Sequence, residues 1–181
     1  MPGWGIRFTS RTSIAVELCF LVLLAAFLAP LARAEERLQT IRAEFHQQTD
    51  PVRRAKLFNK LGNTLIAEMR RLESTRQYEA VAPLFLEYRD SAFAAYNGLT
   101  SSGRDAEKHS GGYRELEMQL RQGAHQLNDL VFGLPLADRD PLRAPQREVE
   151  ELDEKLVRAL FPHTPEEHKT PPSTPPAHPV Q

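Results

Sequence analysis

The sequence predicts an all-α fold: an antiparallel helical bundle of about five helices, three of them long. Three observations carry this expectation. Apolar residues recur every three or four positions in five separate stretches. No stretch alternates apolar and polar residues for more than a few positions, as a half-buried strand would. The stretches are separated by Asp-Pro, Gly-Gly and Gly-Leu-Pro sequences, which start or stop helices.

Leu38, Ile41 and Phe45 mark a short first helix from Glu35 to Gln48. Asp50-Pro51 opens the second, because Asp caps free amides and Pro pre-sets the first turn. Its stripe is Ala55, Phe58, Leu61, Leu65, Met69 and Leu72, ending near Ser74. The third helix carries Tyr78, Val81, Phe85, Tyr88, Ala92, Ala95 and Leu99, with Gly103 as its stop. Pro83 is tolerated there if the helix begins near Val81 and forces a kink otherwise. Residues 104–112 are polar and read as a loop. The fourth helix runs through Tyr113, Leu116, Leu120, Ala124, Leu127, Leu130 and Val131 until Gly133 and Pro135 end it. A connector, Leu134 to Ala144, leads to the last helix, which carries Val149, Leu152, Leu156 and Leu160.

Both ends differ from this core. Arg7 and Arg11 precede a 15-residue apolar run, Ile14 to Leu28, and Ala32-Arg33-Ala34 then puts small residues at −3 and −1 of a cut before Glu35. That grammar is a secretory signal peptide over 1–34. The run is short of the roughly 20 residues a membrane span needs, and Glu17 interrupts it. Membrane association is expected only if the segment stays uncleaved. At the other end, 162–181 hold seven of the 14 prolines and no apolar period, which predicts a disordered, extended tail. The helical domain is therefore 35–161.

These boundaries change the composition. The whole chain has 23 Lys+Arg against 24 Asp+Glu, and removal of 1–34 leaves 20 against 23, a formal charge of −3. No strong basic field remains, which excludes a nucleic-acid partner held by one. Cys19 and Trp4, each the sole residue of its type, fall in the signal segment, so the exported domain has no disulfide and rests on packing alone.

No constellation points to catalysis or a cofactor. The six histidines form no His-x-x-x-His or Glu-x-x-His pairing that would put two ligands on one helical face. His125, beside the apolar stripe, reads as a partly buried, hydrogen-bonded histidine. His163, His168 and His178 lie in the tail. No Gly-x-Ser-x-Gly is present, and Gly111-Gly112 lacks the Lys-Ser/Thr of a phosphate loop. The carboxylates of Glu148, Glu150, Glu151, Asp153 and Glu154 are expected to face mostly outward around the last stripe, as a solvated face.

Two resemblances follow from particular residues. Phe58, then Leu61-Gly62-Asn63-Thr64-Leu65, then Tyr78, Val81, Phe85 and Tyr88, resemble the two helices of a tetratricopeptide repeat. This resemblance implies a hairpin whose helices approach closely at Gly62. Tyr88 stands where the repeat has a small residue, and no second copy follows at a period of about 34 residues, so a repeat-like hairpin is implied and not an array. The run from Asp50 to Gly62, with Tyr88-Arg89-Asp90, Gly112-Tyr113, Leu127-Asn128-Asp129-Leu130 and Leu160-Phe161-Pro162, resembles a group of uncharacterised exported all-helical proteins of acidobacteria. It implies export and an all-α fold, and it carries over no activity or site residue.

The functional expectation is an exported, non-enzymatic helical protein that binds an envelope protein partner or acts as a scaffold. The hairpin of the second and third helices is expected to present the groove or face. Arg53, Arg54, Arg70, Arg71 and Tyr96 are the candidate contact residues. The alternative is a carrier of a small apolar ligand, with a cavity where Gly62, Ala92 and Ala95 leave room. A hydrolase or metal enzyme has no positive feature behind it.

Overall fold

The computed structural model describes residues 35–162. The expected signal segment and the tail from His163 onward lie outside the described residues. Within them the chain forms α1 (35–47), α2 (Pro51–Ser74), α3 (Val81–Ser101), α4 (Tyr113–Gly133), the one-turn α5 (Leu136–Arg139) and α6 (Arg143–Leu160), and no strand. The three long helices are α2, α3 and α4, of 24, 21 and 21 residues.

Local chemistry sets the boundaries. Asp50 accepts a hydrogen bond from the Arg53 amide at 2.8 Å, and that bond holds its carboxyl below the usual range. Val81 begins α3, so Pro83 sits in the first turn, where its missing amide costs nothing. Gly112, at φ +87°, precedes α4 and donates its amide to the Glu115 carboxylate at 2.6 Å. A Cβ there would lie 2.8 Å from Leu99 Cδ2, so only glycine fits both the backbone and the space. The 134–144 connector is more ordered than its sequence suggests, holding α5 and a 3-10 turn (Asp140–Leu142) that seats the buried Leu142.

Consecutive long helices run antiparallel. Leu38 lies beside the C-terminal half of α2, and Glu44 pairs with Lys60 at 3.3 Å. Gly98 faces Pro51, which reverses α3 on α2, and Gly112 touches Leu99, which reverses α4 on α3. Gln146 of α6 reaches Asn128 of α4. As a consequence α2 and α4 run parallel, with Val52 beside Gly112 and Glu73 against Gly133. The core triangle is α2, α3 and α4. α1 covers its α2–α3 edge and α6 its α3–α4 edge.

At the centre of the triangle stands Tyr88, fully buried. Its ring lies on Gly62 of α2 and its hydroxyl on Gly123 of α4: added Cβ atoms would come within 2.9 Å of Cε2 and 2.1 Å of Oη. Phe58 packs at 5.2 Å between ring centroids. The hydroxyl points at the Gln119 carbonyl oxygen at 3.5 Å, and burial pushes its pKa far up. Gly62, Ala92 and Ala95 are all buried, but the room expected beside Gly62 is taken by this ring. The stripes predict the core closely: Phe45, Phe58, Phe85, Leu99, Leu120 and Leu156 are each at most 1% exposed.

One expectation fails along α4, and α6 holds one departure from its mostly outward-facing carboxylates. His125 is exposed, because it falls outside the Gly123–Leu127 seam. The acidic residues of α6 do not all face water. Asp153 turns toward α4, where Glu117 is buried beneath Arg121, its ion-pair partner. Burial, then the Glu117 charge, raises the Asp153 pKa against a smaller opposing effect of Arg121. One Asp153 carboxylate oxygen is buried without a hydrogen-bond partner among the described residues.

A pKa raised in the folded state means the unfolded chain ionises first as pH rises, so stability falls above about pH 4. Asp153→Asn should therefore be more stable than the native chain at pH 7, with the difference closing by about pH 4. Urea melts at the two pH values measure it; a variant weaker at pH 7 sinks the reading of this contact.

Candidate functional site

The five residues expected to form one contact face do not come together. Arg54 donates to the Gln48 carbonyl oxygen through Nε at 2.9 Å and again through Nη2, so it ties the end of α1 to α2. Arg71 grips Glu68 with both a 2.9 Å and a 2.6 Å bond. Arg53 and Arg70 are exposed, yet they lie 17 residues apart on α2, about 25 Å along the axis. Tyr96 is half-buried and packed against the core on the α6 side of α3, seven positions beyond Arg89. An arginine row read along one helix misses the carbonyl acceptor that Gln48 supplies from the segment before α2, whereas the Glu68–Arg71 pair, at i, i+3, is local to α2.

What the fold does leave open is the outer face of α3. The helix packs inward through Val81, Phe85, Tyr88, Ala92, Ala95 and Leu99. Pro83, Leu86, Asp90, Ala94 and Asn97, spaced by three and four, share its opposite side. Two solvent-open hollows of about 610 and 510 Å³ lie along it and share Asp90 and Ala94. They lie on the two flanks of the outer face, the first along α1 and the second along α6, and from Pro83 to Asn97 that face spans 14 helical residues, or about 21 Å.

Each hollow is bordered by one of the two covering helices. On one side α1 brings Phe45 and His46, whose rings meet edge-on at 5.5 Å. α1 is locked to α3 by Arg42, which donates to both Glu87 carboxylate oxygens at 2.6 Å; that bond, the largest influence, raises the Arg42 pKa. On the other side α6 brings Glu148, 3.1 Å from Arg89, which also grips Asp90 at 2.7 Å. These pairs tie the bordering helices to α3. They also leave the Asp90 side chain 66% exposed at the position the two hollows share.

Sequence reasoning missed Leu86 and Ala94. A signal was present: α3 carries Leu84, Leu86, Phe93 and Ala94 in addition to its core stripe, and only three charged residues, Glu87, Arg89 and Asp90. A helix apolar on more than one side has more to cover than one packed face. A second exposed apolar pair, Phe132 and Leu136, marks the α4–α5 corner at 77% and 71% exposure. There Arg139 stacks over the Phe132 ring at 5.3 Å and donates to the carbonyl oxygens of Leu134 and Phe132, both at 2.6 Å. The last carbonyl oxygens of α4 are thus satisfied within the chain.

Among the described residues no group of three or more His, Cys, Asp or Glu side chains is placed to hold a metal ion. No helix among them is long and apolar enough to cross a membrane. Compared with protein families, curated proteins and solved structures, the chain has no match.

Proposed function

We propose that this chain is an exported, non-enzymatic helical protein that docks a protein partner of the cell envelope on the outer face of α3. The observation behind this reading is the outer face of α3 itself: two adjoining open hollows of mixed apolar and charged lining, whose bordering helices are tied to α3 by the Arg42–Glu87 and Arg89–Glu148 pairs. Protein contact surfaces combine apolar side chains with a few fixed charges in this way. Export rests on the positive, apolar and small-residue order of 1–34. The half-buried Tyr96 packs against the core and lines neither hollow, and the exposed Arg53 and Arg70 lie on α2, away from the docking face.

A photo-reactive residue placed at Ala94 tests this in the native envelope, with one at the exposed Gln122 of α4 as the reference. The expected result is a discrete protein adduct at Ala94 and none at Gln122. Absence of an adduct at Ala94, with the protein shown to reside in the envelope, contradicts the proposal.

A further inference from the structure

We propose that α6 is a detachable helix whose docking on α3 and α4 is locked by a proton on Asp153, beside the buried Glu117.

The seam between α4 and α6 holds more carboxylate than cation. Its apolar part is Leu116 and Leu120 of α4 with Leu152 and Leu156 of α6, all fully buried. Glu117 is buried with them at 7% exposure, and its ion-pair partner Arg121 has a side chain 61% exposed. Asp153 enters from α6 with one carboxylate oxygen buried and without a hydrogen-bond partner among the described residues. Two carboxylates therefore face one guanidinium that water already solvates. From α3 comes Tyr88, whose hydroxyl lies on Gly123 and whose burial keeps it uncharged. On α6 itself Glu154 follows Asp153 and is paired with Arg158 at 2.9 Å.

Like charges in a partly desolvated seam with one counter-ion are costly to keep ionised together. A proton on Asp153 removes the repulsion, and it turns a carboxylate that can only accept into a carboxyl that can also donate. Burial, then the Glu117 charge, favours that protonated form against the smaller opposing effect of Arg121.

The fold lets α6 respond alone. It lies outside the α2–α3–α4 triangle, whose central pin, Tyr88 between Gly62 and Gly123, is made by the other helices. Its apolar attachment is one stripe: Pro145, Val149, Leu152, Leu156 and Leu160. Its polar ties to the bundle, Arg89–Glu148 at 3.1 Å and Gln146–Asn128 at 3.4 Å, are partly exposed, and contacts of that kind add little. No side chain caps its first turn. The buried Leu142 keeps the connector seated, so the bend falls at Leu142–Arg143. Once detached, the i, i+4 pair Glu154–Arg158 supports the helix by itself.

The direction of the effect follows from where the proton is held. The docked helix binds it more tightly than the detached one, in which Asp153 is solvated. The extra docking strength is fully present below about pH 4, the ordinary aspartate value, and is lost as pH rises through the raised value. Acid therefore holds the helix shut. Above that range it opens more often, baring Val149, Leu152, Leu156 and Leu160 and the α3–α4 edge beneath them.

Amide hydrogen exchange of residues 35–181, at pH 4 and pH 7 and corrected for the chemical exchange rate, tests this. At pH 7 the α6 amides are expected to open about tenfold or more often than those at the centres of α2 and α4. Their opening should fall about tenfold at pH 4. Asp153→Asn should bring the pH 7 opening down to the pH 4 level and abolish the pH dependence. Glu117→Gln, which removes the neighbouring charge instead, should reduce that dependence. Protection of α6 equal to that of α2 and α4 overturns the proposal. So does opening that is equal at the two pH values or greater in acid, or a pH dependence that both variants keep.

Discussion

Gly123→Ala is expected to destabilise the protein by about 3 kcal/mol, although alanine is the better helix former. The added Cβ would sit 2.1 Å from the Tyr88 hydroxyl and 3.0 Å from Cζ. The ring has nowhere to retreat, because Gly62 already holds its far edge and Phe58 its side. Overpacking a site pinned from two helices forces a backbone shift.

Three companion variants isolate the cause. Tyr88→Phe alone should cost about 1 kcal/mol or less, since the hydroxyl's 3.5 Å contact with Gln119 is long for a hydrogen bond. Combined with Gly123→Ala it should recover about 1–2 kcal/mol by removing the worst overlap. Gly98→Ala, whose Cβ would meet only ordinary contacts at 3.7 and 3.9 Å, should instead stabilise by about 0.5–1 kcal/mol. Urea denaturation of the four variants decides it. Additive effects of Gly123→Ala and Tyr88→Phe would remove Tyr88 from its place as the pin between α2 and α4.

Ala94→Arg is expected to abolish partner binding, a loss of about a hundredfold or more, while changing stability by less than about 1 kcal/mol. Ala94 lies on the shared floor of both hollows, half-buried, with its Cβ directed outward from α3. Arginine keeps the helix intact, as its propensity is close to that of alanine. Its long, charged side chain would project across both hollows from the position they share. Bulk and charge act together, so the loss should exceed that of Ala94→Leu.

Most of the fold was legible in the sequence because each helix buries one continuous face. Phe58, Leu61, Leu65 and Met69, spaced by three and four, are all fully buried, and Asp50-Pro51 starts α2 as its chemistry dictates. The central contact was only half legible. Gly62 reads as a point of close approach, but its counterpart Gly123 sits 61 positions away and carries no signal until α2 and α4 are known to run parallel.

The candidate site was the least legible part, for the same physical reason. Whether Arg54 is available depends on Gln48, a carbonyl acceptor outside α2, whereas the Glu68–Arg71 pair at i, i+3 could be read along α2 itself. Whether Leu86 is covered depends on where α1 and α6 settle. A hollow is set by the gap between two neighbouring helices, and that gap is a tertiary quantity. Composition could show only that α3 is more apolar than one packed face requires.

The central claim is that the outer face of α3 is the surface that is covered in use. Carbene footprinting of side chains tests it most directly, comparing the purified chain with the same chain in the native envelope. Leu86 and Pro83 should label in the purified protein and be protected in the envelope, while Phe132 and Leu136 label equally in both. Ala94→Arg should restore the Leu86 labelling. Leu86 labelled equally in both settings, or protection that moves to Phe132 and Leu136, would contradict the account.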